Sequence, residues 1–140
     1  MKLWKQLMAD ESIWDHNDVV SIFEKKAADI INIKIAKSCG LLGAKKIEHV
    51  SDATGMTCLT GTEIEPGMSI AAKIHLAASI RNLVYACEFT ELSLINESLL
   101  QPKIEIEDGY ITVPDGDGFG FDIDEDLLEK YRVNLPGNRI

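Results

Sequence analysis

Charged residues stand behind short apolar runs at regular intervals through the first 90 residues. Asp10-Glu11 follows the segment Gln6–Ala9, and Lys34 closes Ile30-Ile31-Asn32-Ile33, with Lys37 one helical turn later. Glu65 lies in the loop after Met56–Thr60, and Cys87-Glu88 ends Leu83–Cys87. A carboxylate, a lysine and a second carboxylate around one cavity could bind a divalent cation through oxygen and move a proton through the lysine. Lys34 is the sharpest signal, because an ammonium at the end of an apolar strand is partly desolvated, which lowers its pKa. Bland alternatives stay open on spacing alone. Lys34 could reach solvent or pair with Asp10 or Glu65; Asp10 could be a cap, and Glu65 before Pro66-Gly67 a plain turn residue.

The elements that must position these residues alternate in type. Gln6–Ala9 is a short apolar strand. Asn17 is a plausible N-cap for a helix with Val19, Val20, Ile22, Phe23 and Ala27 as its stripe. The β-branched run 29–34 is a second strand. Leu41, Ala44, Ile47, Val50 and Ala53 recur every three residues up to Gly55, a helix stop. Residues 56–60 form a third strand, Ile70, Ala71, Ile74, Ala77, Ala78 and Ile80 line a third helix, and Leu83–Cys87 reads as a fourth strand. Strand ends near Asp10, Lys34, Thr60 and Cys87 are spaced 24, 26 and 27 residues apart. That period marks βα units around a parallel sheet, whose functional groups gather at the carboxyl ends of the strands.

After residue 90 the rhythm breaks. Asp108-Gly109 signals a hairpin within 102–114, followed by glycine-rich 115–120 and a short helix from about Glu125 to Tyr131. Asp115–Asp126 has Asp at positions 1 and 3 and Gly at 6, like a calcium loop. Phe119 at position 5, Asp126 in place of Glu at 12 and the lack of a preceding helix argue against one. A glycine-rich surface connection is the simpler expectation.

The chain has 140 residues and a formal net charge of −9, from 23 acids against 14 bases. From Glu105 onward ten acids face three bases, so most of that charge sits on one segment, read as a solvated face. A chain this acidic repels a phosphate backbone, which disfavours non-specific nucleic-acid binding. Ser69–Ile80, the longest apolar stretch, is broken by Lys73 and His75 and falls short of the roughly 18 residues of a membrane helix. Cys39, Cys58 and Cys87 are too few and too widely spaced for a disulfide framework or zinc site, and the amino terminus lacks a signal peptide's apolar run. Reduced thiols in the cytoplasm are expected. His16, His49 and His75 are isolated, and Trp4, Trp14 and Tyr85 are expected to pack.

Four βα units leave two open sheet edges, since a barrel needs about eight strands to close. Three outcomes remain possible: one side of a larger barrel, a fragment that self-associates through its edges, or a complete small α/β binding domain.

The ordered set Met8-Ala-Asp-Glu-Ser12, Asn32-Ile-Lys-Ile-Ala-Lys-Ser-Cys-Gly-Leu-Leu42, Gly61-Thr-Glu-Ile-Glu-Pro-Gly67, Cys87-Glu-Phe-Thr90 and Asp108–Gly120 resembles the carboxyl-terminal part of the enolase superfamily, in the mandelate racemase/muconate lactonizing group. The resemblance covers nearly the whole chain. It implies the C-terminal half of a (β/α)8-type barrel, with about four parallel βα units in 1–90 and an irregular extension in 91–140. It also implies a Mg²⁺-dependent enzyme that removes a proton next to a substrate carboxylate. By position, Asp10 is similar to the third metal ligand, Lys34 to the general acid/base, and Glu65 to a carboxylate that hydrogen-bonds in the substrate pocket. No segment matches the family's earlier strands, which supply two more metal carboxylates and a Lys-x-Lys pair, nor its amino-terminal capping domain. Cys39 stands where relatives usually have glycine. One carboxylate holds Mg²⁺ poorly, so the isolated chain is expected to be catalytically silent, and to form a homo-oligomer or to associate with a missing half. Its substrate in the complete enzyme is expected to be a small carboxylate.

Overall fold

A computed structural model describes residues 5–133. The chain runs β1 (Met8–Ala9), α1 (His16–Lys25), β2 (Ile30–Ile33), α2 (Leu41–Thr54), β3 (Thr57–Thr60) and α3 (Met68–Ala78). It continues through α4 (Glu91–Leu94), β4 (Leu100–Gln101), β5 (Asp122–Ile123) and α5 (Glu125–Lys130). β1, β2 and β3 form a parallel sheet in that order, with Ile30 opposite both Met8 and Thr57. All four residues of β2 are buried, which is why the central strand reads as an unbroken apolar run.

Two cores hold the elements together. Ile31, Ile33 and Cys58 from the sheet pack with Val19 and Ile22 of α1 and Ala44 and Ile47 of α2. Ile70, Ala71 and Ile74 of α3 meet Leu100, with Phe89, Ile104, Ile111 and Phe119 around them. α2 ends where the sequence predicts, at Gly55 in the left-handed region with φ 73°. β4 and β5 pair antiparallel, and neither they nor α4 carries a period long enough to be seen in the sequence.

The expectation of four parallel βα units is corrected to three strands. Leu83–Cys87 is not a strand. Among the described residues its region is tied to β3 by the Glu88 N–H donating to the Thr60 carbonyl at 2.9 Å. Leu83, Val84 and Tyr85 lie exposed, whereas a parallel sheet buries its strands on both faces. The expected hairpin shrinks to its turn. Asp108 and Gly109 take φ 48° and 83° as a two-residue turn requires, and Glu107 and Tyr110 exchange both backbone hydrogen bonds. On either side of the turn, Ile104 and Ile111 pack onto the second core.

Smaller differences have local causes. Val20 and Phe23 of the α1 stripe are exposed, as is Ala53 on α2, while Glu48 and Ser51 are buried there instead. On α3, Ala78 is exposed. Trp14 does not pack, being 60% exposed. Tyr85 is exposed with its hydroxyl on Gln6; Trp4 lies outside the described residues. His75 is part-buried, its Nε2 on the Phe119 carbonyl at 3.0 Å.

Asp15, not Asn17, caps α1. Its side chain accepts the Asn17 and Asp18 N–H groups, and Asp18 reaches back to the Asp15 N–H in a capping box. The Asn17 N–H holds the Asp15 carboxyl below the usual carboxylate range. A depressed carboxyl stabilises the fold above its unfolded pKa of about 3.9 and loses that contribution as pH falls through its folded value. Asp15→Ala should therefore lower Tm at pH 7 and flatten the acid limb of the Tm–pH curve. Thermal melts from pH 7 to pH 2 check this.

Candidate acid–base site at the strand ends

Parallel pairing places the carboxyl ends of β1, β2 and β3 along one edge. Asp10 and Glu11 leave β1, Lys34 leaves β2, and the loop after β3 carries Thr62 and Glu65. Lys34 Nζ stands 2.8 Å from Asp10 Oδ1 and 2.9 Å from Glu11 Oε1. Lys37 follows through a turn in which Ser38 donates to the Lys34 carbonyl, and its Nζ reaches the Asp10 carbonyl at 2.6 Å and Oδ1 at 3.3 Å. Lys34 is 9% exposed at the side chain and Asp10 31%.

Electrostatics here differ from the expectation of a desolvated lysine with a lowered pKa. Burial does push the ammonium that way, but the Asp10 and Glu11 carboxylates outweigh it and raise Lys34 above the ordinary lysine range. On Asp10, burial pushes the carboxyl up, while its contacts with Lys34 and Lys37 bring it below its ordinary value. With both carboxylates in place, Lys34 is held as an ammonium, a charge that could clamp an anion. Acting as a base requires the charge of Asp10 and Glu11 to be drawn elsewhere.

Glu65 is half-buried on the neighbouring loop, and among the described residues no hydrogen bond or ion pair joins it to Asp10 or Lys34. Its Oε2 accepts the Glu63 N–H at 2.9 Å and lies 3.4 Å from Thr62 Oγ1. The loop is strained at Ile64, a β-branched residue with φ 62°, a conformation that costs about 1–2 kcal/mol without glycine. Behind it lies a cluster that the sequence concealed. Lys73 of α3 and Glu91 of α4 are an ion pair, 3% and 0% exposed at the side chain, and Thr62 Oγ1 donates to Glu91 Oε2 at 2.5 Å. Lys73 Nζ also sits 4.6 Å from the centre of the Phe89 ring. The available signal was a lysine inside the apolar run of α3.

Asn32 was overlooked as well. It is wholly buried on β2, its side-chain amide has no hydrogen-bond partner among the described residues, and its oxygen lies 2.3 Å from where a Cβ on Gly61 would be. Glycine at 61 is what lets β3 approach that amide.

Among the described residues no group of three or more His, Cys, Asp or Glu could hold a metal ion, and Asp10 already balances two ammonium groups. By themselves these residues do not fit Mg²⁺. The Asp115–Asp126 loop makes no such site either. All three thiols are unpaired. Burial raises Cys58 to about 12, so it is unreactive. Cys39 takes φ 55°, the left-handed backbone for which glycine is the natural occupant. No helix among the described residues is long and apolar enough to cross a membrane.

The three strands thus form a parallel α/β layer with a lysine–carboxylate cluster at its strand ends, where functional groups gather in such layers. Residues 2–127 match the family described as enolase C-terminal domain-like, and the chain belongs to it. It is 35% identical over 125 residues to muconate cycloisomerase 1-1 of Acinetobacter lwoffii, covering 89% of this chain and 33% of that protein. It is 32% identical over 114 residues to the L-Ala-D/L-Glu epimerase of Bacillus subtilis (strain 168), covering 81% and 31%. The crystal structure of 2-chloromuconate cycloisomerase from Rhodococcus opacus 1CP superposes with a TM-score of 0.87 at 28% identity, over 95% of this chain and 36% of that one. The chain thus spans about a third of the length of these relatives.

Proposed function

We propose that this chain forms the acid–base side of a muconate cycloisomerase-like active site in the enolase superfamily, as the C-terminal half of a barrel. The reaction is proton transfer next to the carboxylate of a small substrate, leading to cycloisomerisation, racemisation/epimerisation or dehydration. Lys34 is the general acid/base, Glu65 a substrate-pocket carboxylate, and Asp10 one ligand of a Mg²⁺ ion whose other carboxylates come from outside these residues. The single observation that supports this reading is the buried Lys34 ammonium 2.8 Å from Asp10, at the carboxyl ends of adjacent parallel strands. We place the enzyme in the cytoplasm, with no nucleic-acid partner.

The relatives' names supply two probes, muconate and the dipeptide L-Ala-L-Glu. With Mg²⁺ in D₂O, the chain assembled with its complementary half should lactonise the first or exchange the α-proton of the second, and the isolated chain should do neither. Activity of the isolated chain equal to that of the assembly would overturn the division of the site.

A second reading is favoured by one observation. Among the described residues β1 pairs with β2 alone, and Leu7 just before β1, Met8 on it, Trp14 in the following loop, and Val20 and Phe23 of α1 are exposed. Such an edge could drive self-association of a non-catalytic fragment. In light scattering with a Mg²⁺ titration, a dimer indifferent to Mg²⁺ supports that reading, and a monomer binding Mg²⁺ tightly opposes it.

A further inference from the structure

We propose that Thr62, with Glu91 and Lys73 behind it, is a positioning residue that fixes the Glu65 carboxylate at the strand-end site. This rests on reading Glu65 as a substrate-pocket carboxylate.

A hydroxyl has one hydrogen to donate. Glu91 takes it at 2.5 Å, while Glu65 at 3.4 Å does not compete. The same oxygen accepts the Ile64 N–H at 3.0 Å, which holds Ile64 in its left-handed conformation. That turn brings Glu65 Oε2 onto the Glu63 N–H, leaving Oε1 without a hydrogen bond among the described residues. The Thr62 N–H meanwhile reaches Glu88 Oε2 at 3.3 Å.

Three carboxylates therefore converge on one residue. Like charges so close repel, and the loop would spread unless one were neutralised from behind. Lys73 does this for Glu91, buried and over the Phe89 ring. A buried ion pair is a weak source of stability compared with apolar residues of the same shape. What this one supplies is a fixed direction for the Thr62 hydroxyl, and through the strained turn a fixed place for Glu65.

The test is NMR on the 140-residue chain with ¹³C-labelled glutamate. Glu65→Gln identifies the Glu65 δ-carboxyl resonance by its loss. Thr62→Val should shift that resonance and speed amide exchange at Glu63 about tenfold, the loss of roughly one hydrogen bond. Exchange at Ile31 and Leu59 in the sheet should stay unchanged, and Thr62→Ser should restore both loop readouts. If Thr62→Val fails to fold, Thr62→Ala, which also removes the hydroxyl, takes its place with the same expected result. An unmoved Glu65 resonance with parent exchange at Glu63 overturns the proposal. Equal acceleration at Ile31 and Leu59, or no rescue by serine, overturns it too, since either marks a purely structural role. Substrate turnover of Glu65→Gln in the assembled enzyme separately decides the pocket role, so the two ideas fail in different measurements.

Discussion

Lys34→Ala in the assembled enzyme should slow proton transfer about 10³-fold, within the roughly 10²–10⁴-fold range for losing a general acid or base. The fold should survive, because Asp10 keeps Lys37 at 3.3 Å and Glu11 is exposed to water. Lys34→Arg separates chemistry from pairing. A guanidinium keeps the charge beside Asp10 and Glu11 but does not give up its proton at accessible pH. Arginine should therefore preserve thermal stability and still fail to restore exchange. Isotope exchange in D₂O together with Tm for the three proteins checks both halves. Parent activity in Lys34→Ala would show that the 2.8 Å contact with Asp10 is structural only.

The second large effect concerns stability. Lys73→Met strands the Glu91 carboxylate in a fully buried position, and Glu91→Leu strands the ammonium. Each should cost about 3–5 kcal/mol, a large share of the roughly 5–15 kcal/mol that holds a domain together. The double variant removes both charges and fills the space with apolar side chains. It should return to within about 1–2 kcal/mol of the parent. Urea unfolding of the parent, both single variants and the double variant gives the coupling energy directly. Additive losses in the double variant would mean that the two side chains do not act as a pair.

The two predictions concern charges that differed in how far the sequence revealed them. Lys34 was visible because it ends a run of buried isoleucines, a local pattern, and its neighbours along the chain place it at a strand end. Its pKa direction was misjudged, because desolvation depends on local burial while the compensating carboxylates lie 24 and 23 residues away. Lys73 was seen merely as an interruption of an apolar helix. Its partner sits 18 residues on, in a one-turn helix too short to leave a period. The Asp15 cap was missed by two residues because Asn17 and Asp15 are both good capping types, and backbone geometry chose between them.

By itself, the sequence determined the alternation of apolar strand and helix, the stop at Gly55, the turn at Asp108-Gly109 and the placing of Asp10 and Lys34 at strand ends. Each follows from periodicity or backbone preference within a few residues. Tertiary structure alone decided that Leu83–Cys87 stays outside the sheet, that Asp10 closes on Lys34, and that Thr62 turns its hydroxyl to Glu91. Those outcomes depend on which distant segments come within about 3 Å, where hydrogen bonds form and ion pairs are strongest.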